Sequence, residues 1–150
     1  MTSRAAVEGF VSQRVLAVVG ASRSGKKFGN AVCRELKAKG YRVYALHPHA
    51  AAIEGEACYR DFASLPEKVG GVVVVVKPSE AEKVVREAAA AGVTRVWLQQ
   101  GAGSAEAVRF CEEQGLSVVT GHCILMFTEP VGPFHGFHRW LWRVLGKLPR

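Results

Sequence analysis

No run of the chain stays apolar over the ~18 residues that a bilayer crossing requires. The first residues, MTSRAAVEGF, also lack the charged-then-apolar layout of a secretory leader. A cytoplasmic protein that works away from membranes is therefore expected. Cysteine is sparse: Cys33, Cys58, Cys111 and Cys123 stand far apart, without a CxxC pair or zinc-like spacing. Neither a disulfide framework nor a structural metal is expected, and the thiols read as small core residues. Acidic side chains are the other scarcity. There are 13 of them against 20 basic ones, a formal net charge of +7, which implies an anionic partner without naming it. Low-complexity tracts are absent, and nothing repeats beyond a βα unit.

What the chain does have is core-forming material. With 150 residues, 49% apolar and 22% charged, it has the size and composition of one globular domain. A single domain over residues 1–150 is expected, with its core at about 14–123. From Arg14 to Thr120, short β-branched runs alternate with amphipathic stretches, the pattern of a parallel α/β sheet. Arg14–Gly20 reads as the first strand. Lys27–Lys39 follows as a helix with Phe28, Val32 and Leu36 on one apolar stripe and Gly40 as its stop. Arg42–Leu46 is the second strand. An extended piece around Ala57–Tyr59 and a turn at Ser64–Pro66 lead to Gly71–Val76, a run apolar enough to be covered on both faces.

Pro78-Ser79-Glu80-Ala81-Glu82 reads as a helix start with a capping box, Ser79 capping and Glu82 reaching back. Arg95–Leu98, Ser104–Gln114 and Leu116–Thr120 continue the alternation as strand, helix and strand. Finally, Pro133–Leu148 places Phe134, Phe137, Leu141, Val144 or Leu145, and Leu148 at helical spacing and carries Trp140 and Trp142. This amphipathic C-terminal helix is expected to pack on the sheet or on a second copy in a homodimer. The fold class implied is α/β, a doubly wound, mainly parallel sheet of five to six strands.

The segment Gly20-Ala21-Ser22-Arg23-Ser24-Gly25-Lys26-Lys27-Phe28-Gly29-Asn30 joins the first strand to the first helix. In open α/β sheets this junction holds phosphates, because glycines let the backbone come close and helix N-terminal amides point at the anion. Gly20 and Gly29 could instead only permit a tight turn and close helix packing. Arg23, Lys26 and Lys27 favour the phosphate. Gly20-x4-Gly25-Lys26-Lys27 approaches a nucleoside-triphosphate loop, yet Lys27 stands where a magnesium-binding hydroxyl belongs, and Lys77 where the strand should end in aspartate. The dinucleotide spacing GxGxxG is missing too, and Leu46-His47-Pro48-His49 offers no carboxylate to a free ribose. A ribose carrying its own phosphate fits better, as in NADP or coenzyme A (CoA). Residues 23–42 hold seven basic side chains against the single Glu35, so nearly all the net charge gathers at this loop.

These residues resemble the small CoA-binding proteins that share the Rossmann-like domain of the succinyl-CoA synthetase α subunit. The resemblance runs from about Arg14 to Cys123. It lies in VVGAS (Val18–Ser22) with the later Gly29, GYRVYALHP (Gly40–Pro48), IEGEACY (Ile53–Tyr59), SLP (Ser64–Pro66), VVVVVKPSEA (Val72–Ala81), VWLQQG (Val96–Gly101) and Cys123. It implies that Gly20, Ala21 and Ser22, with the helix start near Gly29 and Asn30, hold the CoA pyrophosphate. It also implies that His47, Pro48, Val76, Lys77 and Pro78 border the adenosine, with Lys77 near its phosphates. The family usually has Asn where this chain has His47, and Asp-Arg where it has Gly121-His122.

Catalytic material is thin. His122 and Cys123 are neighbours on an extended segment and point to opposite faces. In the family that carries the resemblance, the phosphorylated histidine belongs to a second domain. The reading is a CoA-binding carrier, sensor or partner subunit without catalytic machinery of its own. The alternatives are an NADP-binding oxidoreductase or redox sensor, and an acyl-CoA ligase component completed by a partner. Nucleic-acid binding ranks below these, because no recognition helix or RNP-like motif appears.

Overall fold

The computed structural model describes residues 2–128. Helix α1 (Arg4–Val11) comes first, followed by β1 (Val15–Val19), α2 (Phe28–Ala38) and β2 (Arg42–Leu46). A short hairpin of β3 (Ala52–Ile53) and β4 (Glu56–Ala57) and a 3-10 turn at Phe62–Ser64 lead into β5 (Gly71–Val74). Helix α3 (Pro78–Ala90), β6 (Arg95–Gln99), α4 (Ala105–Glu113) and β7 (Ser117–His122) complete the alternation. Five strands form one sheet in the order β2-β1-β5-β6-β7, and every neighbouring pair is parallel. The chain leaves β1 toward β2 and returns to the other side of β1 as β5. That reversal opens a crevice at the carboxyl ends of β1 and β5, where ligands of open α/β sheets bind.

Strand periodicity explains why both faces are dry. Leu16, Val18, Val73, Trp97 and Val119 face the side covered by α1 and α2, and the alternate residues Ala17, Val72, Val74, Val96 and Leu98 face α3 and α4. Val72, Val73 and Val74 are wholly buried. Each such side chain contributes roughly 1.5–3 kcal/mol relative to exposure. Trp97, the largest buried side chain, meets Phe10 of α1 edge-on with ring centroids 5.4 Å apart. Gly71 makes room for that aromatic pair, since a Cβ there would lie 2.6 Å from the Phe10 ring.

Several expectations change. Nothing in the sequence before Arg14 suggested an element, yet Ser3 caps α1 by accepting from the Ala6 amide at 3.1 Å, and Val7 and Phe10 bury its inner face. The capping box at Ser79 and Glu82 does not form: Pro78 takes the first helical position and Lys77 becomes the N-cap, with no side-chain cap bond. Proline's fixed φ suits that first position and pushes Ser79 inside the helix. Phe28, expected on the buried stripe, opens α2 and is 49% exposed, because the helix begins before it reaches the core. The extended piece at 57–59 is in part a hairpin arm, and Tyr59 bridges to Leu46 beside the sheet. The expected helix over 133–148 lies outside the described residues.

Candidate functional site

The loop from Gly20 to Lys27 is shaped by two glycines that meet. A Cβ on Gly29 would lie 2.5 Å from the Gly20 carbonyl carbon and oxygen and 2.7 Å from the Ala21 nitrogen. One on Gly20, whose φ is +127°, would lie 2.0 Å from the Val75 carbonyl oxygen just beyond β5. The start of α2 thus presses on the end of β1, and the end of β1 presses on the end of β5. Backbone meets backbone at the switch point. Both uses foreseen for these glycines, tight turning and close packing, are met by the same contact.

Asn30 then locks the loop from within. It is fully buried, and its Oδ1 accepts from the Ser22 amide at 2.8 Å and the Ser22 hydroxyl at 3.2 Å. Its Nδ2 donates to the Ser22 carbonyl at 2.9 Å and to Glu54 Oε1 at 2.9 Å. Every hydrogen-bonding position of the amide is used inside the protein. Asn30 therefore holds the loop's shape instead of offering its side chain outward. Ser22 and Ser24 share a hydroxyl contact at 2.8 Å, and the Ser24 hydroxyl accepts from the Lys26 amide at 3.3 Å. The amides of Phe28 and Gly29, first in α2, have no acceptor among the described residues. Such amides, together with the helix dipole, favour a nearby anion.

Charge is distributed differently from the count along the sequence. Arg34, Lys37 and Arg42 pair at 2.7 Å with Glu54, Glu56 and Glu67, all drawn from the segment after β2. The Arg34 guanidinium and the Asn30 amide hold the Glu54 carboxyl below its usual range. Lys39 turns to the Leu125 carbonyl at 3.2 Å and the Thr128 hydroxyl at 3.1 Å. Exposed pairs of this kind add little stability, ~0–1 kcal/mol each. Their effect here is to cancel much of the basic excess of residues 23–42. Arg23, Lys26 and Lys27 form no ion pair among the described residues, and they stand on the loop itself.

The other expected site residues share this end of the sheet. His47 and Pro48 follow β2, and Val76, Lys77 and Pro78 follow β5, both at strand ends parallel to that of β1. Lys77 is exposed and caps α3, so a second helix N-terminus opens on the same crevice. Two concavities of about 350 and 370 Å³ open elsewhere, one along the outer edge of β2 and one between Phe62 and Val93. The loop crevice is distinguished by its close backbone approach and its charge.

Among the described residues, no group of His, Cys, Asp and Glu could hold a metal ion. Cys123 and His122 do not pair. Gln99 donates to the Cys123 sulfur at 2.9 Å and accepts from the Ile124 amide at 3.0 Å, while the Trp97 indole donates to the His122 carbonyl at 3.0 Å. The role of Gln99 within the VWLQQG motif is not legible in the sequence, because its partners lie a strand away. Burial pushes the Cys33 and Cys111 thiols up to about 11, and Cys58 alone is half-exposed. Burial raises the Cys58 thiol too, so an aromatic disulfide reagent at pH ~8 should titrate it ahead of the others but more slowly than a free thiol, and the rest only after unfolding. Rapid reaction of Cys33 or Cys111, read by mass spectrometry, would contradict this burial.

With that geometry in place, the chain can be set beside known proteins. A family model described as a CoA binding domain matches residues 14–129. An ADP-forming acetate–CoA ligase of Archaeoglobus fulgidus is 27% identical over 136 residues, covering 84% of this chain and 20% of the ligase. The chain thus spans about a fifth of that curated relative. A conserved hypothetical protein of Pyrococcus furiosus is 40% identical, with 74% of this chain and 96% of that one aligned at a TM-score of 0.70. A dinucleotide-forming acetyl-CoA synthetase of Ca. Korarchaeum cryptofilum is 27% identical over 75% of this chain and 27% of its own, with a TM-score of 0.65. No helix among the described residues is long and apolar enough to cross a membrane. The glycine contact at the β1–β5 switch point, the helix starts behind it and the match across 14–129 converge: the chain belongs to the CoA-binding domain family, with a Rossmann-like fold.

Proposed function

We propose that the protein binds CoA, or an acyl-CoA, at the carboxyl ends of β1, β2 and β5, as a cytoplasmic carrier, sensor or partner subunit. The observation that carries this reading is the Gly20–Gly29 contact, which brings unpartnered amides and three unpaired cations to one open crevice. The pyrophosphate would lie over the amides of Phe28 and Gly29, with Ala21 and Ser22 beneath. Arg23, Lys26, Lys27 and Lys77 would supply charge, and Pro48, Val76 and Pro78 apolar edges around the adenosine. The exposed Phe28 ring would offer apolar surface beside the phosphates.

A thermal-shift series with CoA, dephospho-CoA and NADP tests this. Stabilisation follows the logarithm of ligand concentration over Kd, about 2.7 kcal/mol at a hundredfold excess. CoA is expected to stabilise most. A shift with NADP and none with CoA would overturn the reading in favour of an NADP-binding oxidoreductase or redox sensor. The likeness to CoA ligases supports a second reading, a ligase component completed by a partner, which an assay of ligation with and without candidate subunits would detect.

A further inference from the structure

The turn that follows β2 is built around a titratable ring. His47 Nδ1 accepts from the backbone amides of His49 and Ala50, each at 3.0 Å. A ring nitrogen that accepts carries no proton, so the neutral imidazole keeps its proton on Nε2, across the ring from these bonds. The His47 amide itself donates to the Tyr59 carbonyl at 2.8 Å, which anchors the residue to the sheet independently of its ring. The ring's two bonds therefore shape the 48–50 segment and leave β2 alone. Arg23 and Lys27 of the phosphate loop act on the ring, as does His49, whose ring centroid lies 6.2 Å away. The half-buried Cys58 thiol faces the His47 backbone. No carboxylate is among these groups.

We propose that His47 is a positioning residue for the coenzyme site: its neutral ring folds the 47–50 turn beside the phosphate loop, and its protonation opens that turn and weakens ligand binding. The inference rests on the CoA reading of the loop. A proton on Nδ1 turns an acceptor into a donor aimed at two other donors, and both bonds are lost together. Burial, then Arg23, His49 and Lys27, oppose that proton and hold His47 below its ordinary value of 6.5. Because the folded value is lowered, the turn is intact above about 6.5 and is lost as pH falls through the lowered value. An anionic ligand that merely attracted the imidazolium would produce the opposite trend.

Calorimetric titrations with dephospho-CoA, from about pH 7.5 down to about one unit below the His47 midpoint read by NMR, test the proposal on the wild type, His47→Asn and His49→Asn. Dephospho-CoA is the probe because the phosphate monoester of CoA itself titrates near pH ~6. Wild-type affinity should be constant above the His47 pKa and fall ~tenfold for each pH unit below it, as the competent fraction shrinks. His47→Asn, whose Oδ1 can accept the same two amides without titrating, should give a flat profile within about twofold. His49→Asn should keep the wild-type slope. A flat wild-type profile, affinity that rises in acid, or a slope retained in His47→Asn each overturns the proposal. Failure of the wild type to bind CoA at pH ~7.5 would overturn the coenzyme reading instead. NMR on the ligand-free protein gives an independent readout: an Nε2–H tautomer is expected, with exchange protection of the His49 and Ala50 amides lost at the His47 midpoint. An Nδ1–H tautomer would overturn the proposal without any ligand.

Discussion

Alanine at Gly29 is expected to lower the unfolding free energy by about 3 kcal/mol, the upper end of overpacking effects, and to abolish CoA binding. The added carbon would sit 2.5 Å from the Gly20 carbonyl group, and backbone on both sides leaves nothing flexible to yield. Either α2 slides or the β1 end retreats, and each movement displaces the amides over which the pyrophosphate would lie. Gly20→Ala should exceed this loss, since its Cβ would meet the Val75 oxygen at 2.0 Å and its φ of +127° is foreign to L residues. Gly25→Ala is the control. Its φ of +75° costs about 1 kcal/mol, but its nearest neighbour is the Glu54 carboxylate at 3.4 Å, an ordinary contact. Urea denaturation and calorimetric titration of the three variants decide the matter. Equal losses at Gly25 and Gly29 would show that backbone freedom, and not close approach, is what the loop needs.

Asn30→Asp, nearly unchanged in shape, should cost about 3–5 kcal/mol at neutral pH, as for a buried charge left unpaired. The substitution removes both Nδ2 donors and puts a second carboxylate oxygen where Asn30 now meets Glu54 at 2.9 Å. The new aspartate would have a folded pKa raised above its unfolded value. Its native contribution is then preserved below about pH ~4 and lost as pH rises through the raised value. Adding Glu54→Gln should recover part of the loss by removing the opposing charge and restoring a donor, and a double-mutant cycle gives the coupling. Additive effects of the two substitutions would show that the Asn30–Glu54 bond does not hold the loop.

The long elements were legible because their periodicity is strong and local. Leu46 ends β2 where a hydrophobic run ends, and Gly92 follows the last turn of α3. Helix α1 was not legible, because eight residues that include Gly9 show too little pattern, and its inner face is defined by Trp97 and Gly71 far along the chain. The two-residue strands β3 and β4 are too short for any alternation to show. Gly20 and Gly29 could be singled out from their place after a strand and before a helix. The inward direction of Asn30 could not, since Ser22 and Glu54 approach it from opposite sides. The charge of residues 23–42 overstates that of the folded loop for the same reason. The glutamates that neutralise Arg34, Lys37 and Arg42 lie after β2, outside that stretch.

Strand order carries a consequence for how the crevice comes into being. β1 pairs with β2 early in the chain, but its other neighbour, β5, arrives only after the whole 47–70 segment, with Val18 facing Val73. Loop closure over such a span must precede the contacts that reward it, so this pairing is expected to form after β1 meets β2. Until it forms, Gly20 has no Val75 carbonyl to press against, and the proposed anion-binding surface is incomplete. Ligand occupancy would therefore report that β5 has joined β1, and a partly folded chain that has β1, α2 and β2 alone would have the residues of the loop without its grip.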